Sequence, residues 1–166
     1  MSSKSRAHSH FMSFRVLQSP FFFWDYVNLT DLKYEDYISD ECCRSISSLP
    51  LTSLCLFRSS ITDDTLSLFS QLRSLDLNNA PVLNGQSLED LPFLTALRIR
   101  EHCSIRVGIL SVLTNLQSLN VDGHLQITNK TISHLSKLTK LKAMMCGVNE
   151  DVRSYLPNLK ICEIFK

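Results

Sequence analysis

The stretch Leu72-Arg73-Ser74-Leu75-Asp76-Leu77 decides the fold of this chain, because its pattern L-x-x-L-x-L recurs at a near-constant period. The pattern also begins at residues 51, 94 and 116, and looser copies begin at residues 138 and 159. Successive starts lie 21, 22, 22, 22 and 21 residues apart. A period in the range of roughly 20–50 residues indicates a solenoid of stacked units. We therefore predict one short strand per unit. The fourth-position residues should stack in a common core: Leu54, Leu75, Leu97, Leu119 and Leu141.

A second apolar pattern lies between the predicted strands, with steps of five, three and three residues. One example is Ile61, Leu66, Phe69 and Leu72, and the same steps recur in the next three units. Such spacing places side chains on one face of a helix or 3₁₀ turn. A single unit cannot bury both its strand and its helical face, so the units must stack. The sequence thus predicts an α/β solenoid of about six to seven repeats over residues 24–166, with a curved parallel sheet on the concave side and short helical segments on the convex side.

The first unit is less regular than the others. Leu29 begins a strand pattern 22 residues before Leu51, but Trp24, Val27 and Leu29 offer an alternative register. The aromatic cluster over residues 21–24 is predicted to cover the open end of the stack, because a terminal repeat otherwise exposes its apolar face.

The repeats resemble those of the leucine-rich-repeat superfamily over residues 29–166. The motifs Ile61-Thr62-Asp63 and Ile127-Thr128-Asn129 are similar to those of its cysteine-containing class, the F-box-associated and ribonuclease-inhibitor-like proteins. The ninth repeat position, which is Asn or Cys in the family, is occupied here by Ser59, Ala80, His102, His124 and Cys146, so no continuous asparagine ladder is expected. The resemblance implies a protein-protein interaction or scaffold module, which is an argument by analogy of fold.

Composition and motifs favour a non-enzymatic protein. The 17 Lys and Arg against 16 Asp and Glu leave a net charge of +1, which favours protein partners over nucleic acid. No apolar run approaches the roughly 20 residues of a membrane span. No nucleophile elbow, phosphate-binding loop or dinucleotide motif is present, and no cofactor is expected. The acidic pairs at residues 63–64 and 150–151 are interpreted as caps of the helical segments that follow them.

The six cysteines contain no C-x-x-C pair, which indicates buried thiols in a reducing, intracellular compartment. Residues 1–23 are basic, rich in Ser and free of Asp and Glu, as in a mitochondrial transit peptide. The alternatives for this segment are a poorly ordered leader and a capping role.

One column of side chains has zinc-competent chemistry. His102, His124 and Cys146 share the ninth position in three consecutive units, and strands stack about 4.8 Å apart. The alternative is that these side chains satisfy the backbone of the turn, and on this interpretation no metal is predicted.

The strand positions that point away from the leucines form the predicted binding face. Asp76 should pair with Arg98, and Lys142 with Glu163, across adjacent strands. The candidate partner-binding residues on this concave face are Arg73, Asp76, Arg98, Arg100, Asn120, Lys140, Lys142, Met144 and Glu163.

Two roles within the interaction class remain open. A subunit or assembly factor of a larger complex suits the size and the basic leader. A substrate-recognition protein of a ubiquitin ligase would need an N-terminal adaptor-binding domain, for which residues 1–28 are too short. The last strand pattern, from Leu159, carries no predicted cap, so we expect this edge to contact another protein or a second copy. The residues expected near that contact are Met144, Met145, Tyr155, Leu156 and Phe165.

Overall fold

Strands of successive units lie side by side in the order of the chain, in one parallel sheet of eight strands. The structure is a computed structural model that describes residues 10–11, 29–100 and 103–165. The strands are β1 His10–Phe11, β2 Asp31–Ile38, β3 Ser53–Ser59, β4 Ser74–Leu77, β5 Ala96–Ile99, β6 Ser118–Asn120, β7 Lys140–Met144 and β8 Ile161–Phe165. Every neighbouring pair is parallel, as a solenoid of identical turns requires.

A short helical segment follows most strands and returns the chain to the start of the next one. The α-helices are α1 Asp40–Ser45, α2 Asp63–Leu66, α3 Asn129–Ile132 and α4 Val152–Tyr155. In the second and third of the six regular units, which begin at Leu72 and Leu94, the segments are 3₁₀ helices, Gln86–Asp90 and Val107–Val112. Within the described residues, no helix is both long and apolar enough to cross a lipid bilayer. The predicted leucine-rich-repeat solenoid is confirmed by this alternation.

The fourth-position leucines form the predicted column. Leu54, Leu75, Leu97, Leu119 and Leu141 are register partners in consecutive strands, and each exposes 2% of its surface or less. The sixth-position residues stack beside them in the same way, as Leu77 does on Ile99. The 22-residue period therefore places equivalent side chains against one another, one strand spacing apart.

The first leucine of each pattern lies outside its strand, in the turn that closes the preceding helical segment. Leu94 N donates to Leu91 O at 3.1 Å, and Leu116 N donates to Leu113 O at 3.1 Å. The regular ladder therefore begins two residues later than the pattern L-x-x-L-x-L predicts. The leucine stays buried because the turn lies on the core, where Leu94 is 2% exposed.

The first unit adopts the register that begins at Leu29. Leu32 pairs with Leu54, and an irregularity between Tyr34 and Tyr37 adds one residue to β2. His10–Phe11, within the predicted leader, forms β1 and pairs with β2. The aromatic cluster at residues 21–24 lies outside the described residues, so its capping role stays a prediction.

The acidic residues after the strands connect neighbouring units, which corrects the expectation that they cap their own helices. Asp63 Oδ1 accepts hydrogen bonds from Ser87 N and Oγ, both at 2.9 Å, and its Oδ2 accepts one from Asn84 N at 2.9 Å. Asp40 Oδ1 accepts hydrogen bonds from Thr62 N and Oγ1, both at 2.8 Å. We call these two sets of contacts the carboxylate clasps. Each carboxylate satisfies backbone donors at the start of the next helical segment.

The second acidic pair does not cap its helix through side-chain hydrogen bonds either. Asp151 is at the N-cap of α4, but its side chain makes no capping hydrogen bond. Glu150 lies 3.6 Å from Arg153.

Gly85 replaces the clasp residue in the next unit. Its φ is +90°, and a Cβ built there would lie 2.8 Å from Cγ2 of Ile105. Left-handed backbone and close packing both favour glycine at this position. The clasps therefore stop here, and the next junction is connected by the backbone hydrogen bond from Arg106 N to Asn84 O at 3.0 Å.

Candidate functional site

The concave face of the sheet displays the third and fifth positions of each repeat in straight rows. The third-position row contains small side chains in the middle of the sheet, in the order Ser53, Ser74, Ala96 and Ser118. The fifth-position row beside it contains Cys55, Asp76, Arg98, Asn120, Lys142 and Glu163. We call these two rows together the concave face. Its composition follows directly from the repeat register.

A hollow of about 220 Å³ lies over strands β3 to β6 on this face. Residues of both rows line it, the third-position Ser53, Ser74, Ala96 and Ser118 and the fifth-position Cys55, Asp76, Arg98 and Asn120. The hydroxyls of Ser53, Ser74 and Ser118 make no side-chain hydrogen bond within the described part of the chain, so they are available to a ligand.

Asp76 is the centre of the charge network of the hollow. Its Oδ2 lies 2.8 Å from Arg98 Nη1 and 3.6 Å from Arg100 Nη2. The Asp76 side chain is 16% exposed, while that of Arg98 is 48% exposed. The predicted Asp76–Arg98 pair is confirmed. Arg100 joins the same carboxylate, so one negative charge is shared by two guanidinium groups and the cluster keeps a net positive charge.

Lys142 lies between two acidic residues. Its Nζ is 3.9 Å from Glu163 Oε2, as predicted, and also 3.9 Å from Asp122 Oδ2. Asp122 is additionally fixed by the backbone, because its Oδ1 accepts a hydrogen bond from Met144 N at 3.0 Å. The charge of Lys142 is therefore compensated within the sheet.

Lys140 and Lys160 are exposed and, within the described residues, lie in no ion pair. Lys140 extends the third-position row on β7, opposite Ser118 and Ile161. Lys160 directly precedes Ile161. The basic excess of the concave face therefore lies toward its C-terminal half.

Arg73 lies at the strand-start edge of the concave face, where its guanidinium carbon is 5.6 Å from the ring centroid of Phe93. Phe93 is 46% exposed and was not identified from the sequence. The available signal was an aromatic residue at a turn position that is polar in the following units, Asn115, Lys137 and Asn158. A cation over an aromatic face at this distance is an attractive contact.

Cys55 is the thiol of the concave face, and burial together with the charge of Asp76 raises its pKa to about 11. A neutral thiol is a poor nucleophile and a poor metal ligand. This position therefore contributes shape rather than reactivity.

The predicted metal column lies at the turns after the strands. His124 is half-buried, and burial lowers the pKa of its imidazole, although the backbone carbonyl of Arg100 opposes the shift. Burial also raises the pKa of Cys146. In the part of the chain that the structure describes, no three His, Cys, Asp or Glu side chains are grouped to hold a metal. His102 lies outside the described residues, so the three-ligand column stays a prediction.

Cys103 is buried at the turn that follows β5. Its Sγ lies 3.8 Å from the carbonyl oxygen of Leu77, and burial raises its pKa. Cys103 and His124 line a groove of about 330 Å³ between two neighbouring turns. Cys103 lies beside the predicted column and packs against backbone, whereas the buried Nε2 of His124 has no hydrogen-bond partner among the described residues.

At the last unit, the residues expected near a partner differ in their exposure. Tyr155 is 52% exposed and Met145 is 60% exposed, whereas Leu156 is 1% exposed and belongs to the core. The expectation that Leu156 lies near a contact is therefore wrong for its side chain. It occupies the same core layer as Leu135 in the preceding unit.

Comparison with solved structures supports this architecture. The fold is similar to that of internalin C2 from Listeria monocytogenes strain 4b F2365, with a TM-score of 0.59 and 23% identity over 82% of this chain and 61% of that chain. A second internalin of that organism, InlF, gives a TM-score of 0.62 and 22% identity, covering 88% of this chain and 46% of that chain. The chain has a leucine-rich-repeat fold.

The leucine-rich-repeat chain spans less than two thirds of the length of either internalin. No protein-family model matches it, and no curated protein sequence matches it. Identity at this level shows the fold alone. The assignment to the cysteine-containing class stays a prediction.

Proposed function

We propose that this chain is a non-catalytic protein-interaction module that binds a protein partner through its concave face, as a scaffold or subunit of a larger complex. The observation that carries the proposal is the Asp76–Arg98–Arg100 cluster beside the hollow. Polar hydroxyls, a half-exposed guanidinium and a shaped depression lie together there, which is the composition of a recognition surface. The proposed contact residues are Arg73, Asp76, Arg98, Arg100, Asn120, Lys140, Lys142, Met144 and Glu163.

Site-specific photo-crosslinking tests which face of the protein binds the partner. A photoreactive residue at Asn120, which lines the hollow, should crosslink a defined protein in native extract. The matched control is the same residue at Lys130, which lies exposed in α3 on the opposite side of the repeats. Equal crosslinking from both positions, or crosslinking from Lys130 alone, contradicts the proposal.

Charge reversal tests the same surface by affinity. Arg98→Glu combined with Lys142→Glu should weaken association with the crosslinked partner, because both replacements put negative charge next to Asp76 and Asp122 on the concave face. Stability should fall by only about 1–2 kcal/mol, since exposed pairs each contribute little. Partner affinity is measured by titration calorimetry, and folding by circular dichroism. Unchanged affinity would show that the partner binds elsewhere on the molecule.

The last unit offers a second contact surface. Leu159, Cys162 and Ile164 are only partly buried, whereas their counterparts one unit earlier, Leu138, Leu141 and Ala143, are buried. Exposed Tyr155 and Met145 lie in the same two units. A photoreactive residue at Tyr155 distinguishes this surface from the concave face. The ubiquitin-ligase and mitochondrial roles stay predictions.

A further inference from the structure

The two halves of the concave face carry opposite charge. At the third, fifth and seventh positions of the units that contain β5 to β8, the concave side displays four basic side chains against two acidic ones: Arg98, Arg100, Lys140 and Lys142 against Asp122 and Glu163. At the same positions of the units that contain β2 to β4, the acidic side chains Asp31, Glu35 and Asp76 outnumber Lys33. Internal pairing compensates Lys142 but leaves Lys140 without an ion pair among the described residues.

We propose that the C-terminal half of the concave face binds an extended acidic segment of a protein partner. This inference rests on the proposed function and specifies the chemistry of the partner. Two positions offer positive charge to a ligand: Lys140 and the half-exposed Arg98, whose partner Asp76 is already shared with Arg100. Charge complementarity therefore selects carboxylates as the recognised groups.

The sheet geometry sets the spacing of those carboxylates. Arg98 lies two strands from Lys140 and two residues further along, which is a separation of about 12 Å. An extended chain advances about 3.4 Å per residue and presents alternate side chains to one side. The matching ligand therefore has two acidic residues about four positions apart.

The small third-position residues complete the binding geometry. The side chains of Ser74, Ala96 and Ser118 are short, so they leave space above the sheet beside the charged row. The ligand backbone can therefore approach the hydroxyls of Ser74 and Ser118, which have no side-chain partner among the described residues. Larger residues at these positions would hold the ligand away from Arg98.

Fluorescence anisotropy with defined probes tests the inference on the full chain. A short labelled peptide of alternating Glu and Ser should bind, and the matched peptides of alternating Gln and Ser or Lys and Ser should bind at least about tenfold more weakly. Binding of the Glu-Ser peptide should weaken with rising salt. Equal binding of the Gln-Ser peptide would overturn the proposal.

Two charge-matched variants locate the site. Arg98→Glu with Lys140→Glu should weaken Glu-Ser binding by at least about tenfold. Arg106→Glu with Lys130→Glu changes the net charge equally at exposed positions outside the concave face and should leave binding unchanged. Equal loss in both variants means that only net charge is sensed, and this result overturns the proposal. Circular dichroism verifies that both variants fold.

The remaining outcomes separate this inference from the function on which it rests. Tighter binding of an oligouridylate than of the Glu-Ser peptide, lost in the Arg98/Lys140 variant, assigns the site to nucleic acid and overturns the proposal. If Asn120 crosslinks a protein partner but the Glu-Ser peptide binds no better than the Gln-Ser peptide, the interaction function stands and the acidic-ligand inference fails.

Discussion

Leu97 lies in the middle of the leucine column, between Leu75 and Leu119 on adjacent strands. It is 2% exposed, so its side chain has neighbours from two units and from the helical face. Buried aliphatic side chains of this kind contribute through removal of apolar surface from water and through close packing. Leu97 therefore contributes to the packing of the unit before it and of the unit after it.

Leu97→Ala should therefore lower the free energy of unfolding by about 2–5 kcal/mol, because burial is lost and a cavity remains. Chemical denaturation followed by circular dichroism measures the change. Gln117→Ala is the control, because Gln117 is exposed, and it should change stability by less than about 0.5 kcal/mol. A Leu97→Ala midpoint equal to that of the unmodified chain would contradict the repeat alignment.

Asp63 and Asp64 show how adjacent identical residues differ in role. Asp63 accepts three hydrogen bonds from the next unit, whereas Asp64 is exposed. Asp63→Ala should cost about 1–3 kcal/mol, because backbone donors of Asn84 and Ser87 lose a charged acceptor. Asp64→Ala should be close to neutral in the same denaturation experiment. If both substitutions cost the same, the clasp does not stabilise the junction.

At the scale of elements, the junctions between units are held by different contacts. The carboxylate clasps join the first units, and Asn129 pairs with Asn149 near the end, where Asn149 N donates to Asn129 Oδ1 at 3.0 Å. Threonines at the second repeat position add another series, because Thr95 Oγ1 donates to Arg73 O at 3.1 Å and Thr139 Oγ1 to Gln117 O at 3.0 Å. These polar contacts align the turns while the leucine layers supply most of the burial.

The clasp at Asp40 makes one junction sensitive to acid. Burial alone would raise the pKa of Asp40, but hydrogen bonds from Thr62 and Thr65 and the contact with Arg44 outweigh it and lower the pKa. A carboxyl whose pKa is depressed on folding contributes stability above its unfolded pKa, and this contribution is lost as pH falls through the folded value. Asp40→Asn should therefore reduce stability at neutral pH, and its difference from the unmodified chain should shrink below about pH 4.

The measurement is a series of denaturation curves from neutral to acidic pH. Asp36→Asn is the control, because Asp36 is exposed and its side chain accepts a hydrogen bond from the backbone N of the adjacent Tyr37. A constant difference between Asp40→Asn and the unmodified chain across this range would show that the Asp40 charge does not support the junction.

For the whole molecule, each unit packs only against its neighbours, so stability should depend on the position of a layer in the stack. Ile99 and Ile164 are the same residue type at the same repeat position. Ile99 is 1% exposed between two strands, whereas Ile164 is partly buried on the last described strand.

Ile99→Ala should lower the free energy of unfolding by about 2–5 kcal/mol. Ile164→Ala should cost roughly half as much or less, since less apolar surface leaves water on folding. Parallel urea denaturation of the two variants gives both values. An Ile164→Ala cost equal to that of Ile99→Ala would show that the last layer is as well covered as the middle of the solenoid.

The sequence by itself determined the solenoid, the stacking of the leucines and the Asp76–Arg98 and Lys142–Glu163 pairs. These contacts join residues 21 or 22 positions apart in the chain. The repeat period therefore places them side by side on neighbouring strands, independently of the conformation of the turns. The period also predicted the concave rows, because alternate strand positions face opposite sides of the sheet.

Only the tertiary structure decided the contacts between residues at different positions of neighbouring repeats. Arg100 reaches Asp76 from two positions along the next strand, Phe93 packs under Arg73, and Asp63 binds Ser87 instead of capping its own helix. Each contact depends on the path of a turn or the direction of a long side chain. A repeating sequence pattern fixes neither, because turns are set by local backbone geometry and side-chain direction by the packing of the neighbouring unit.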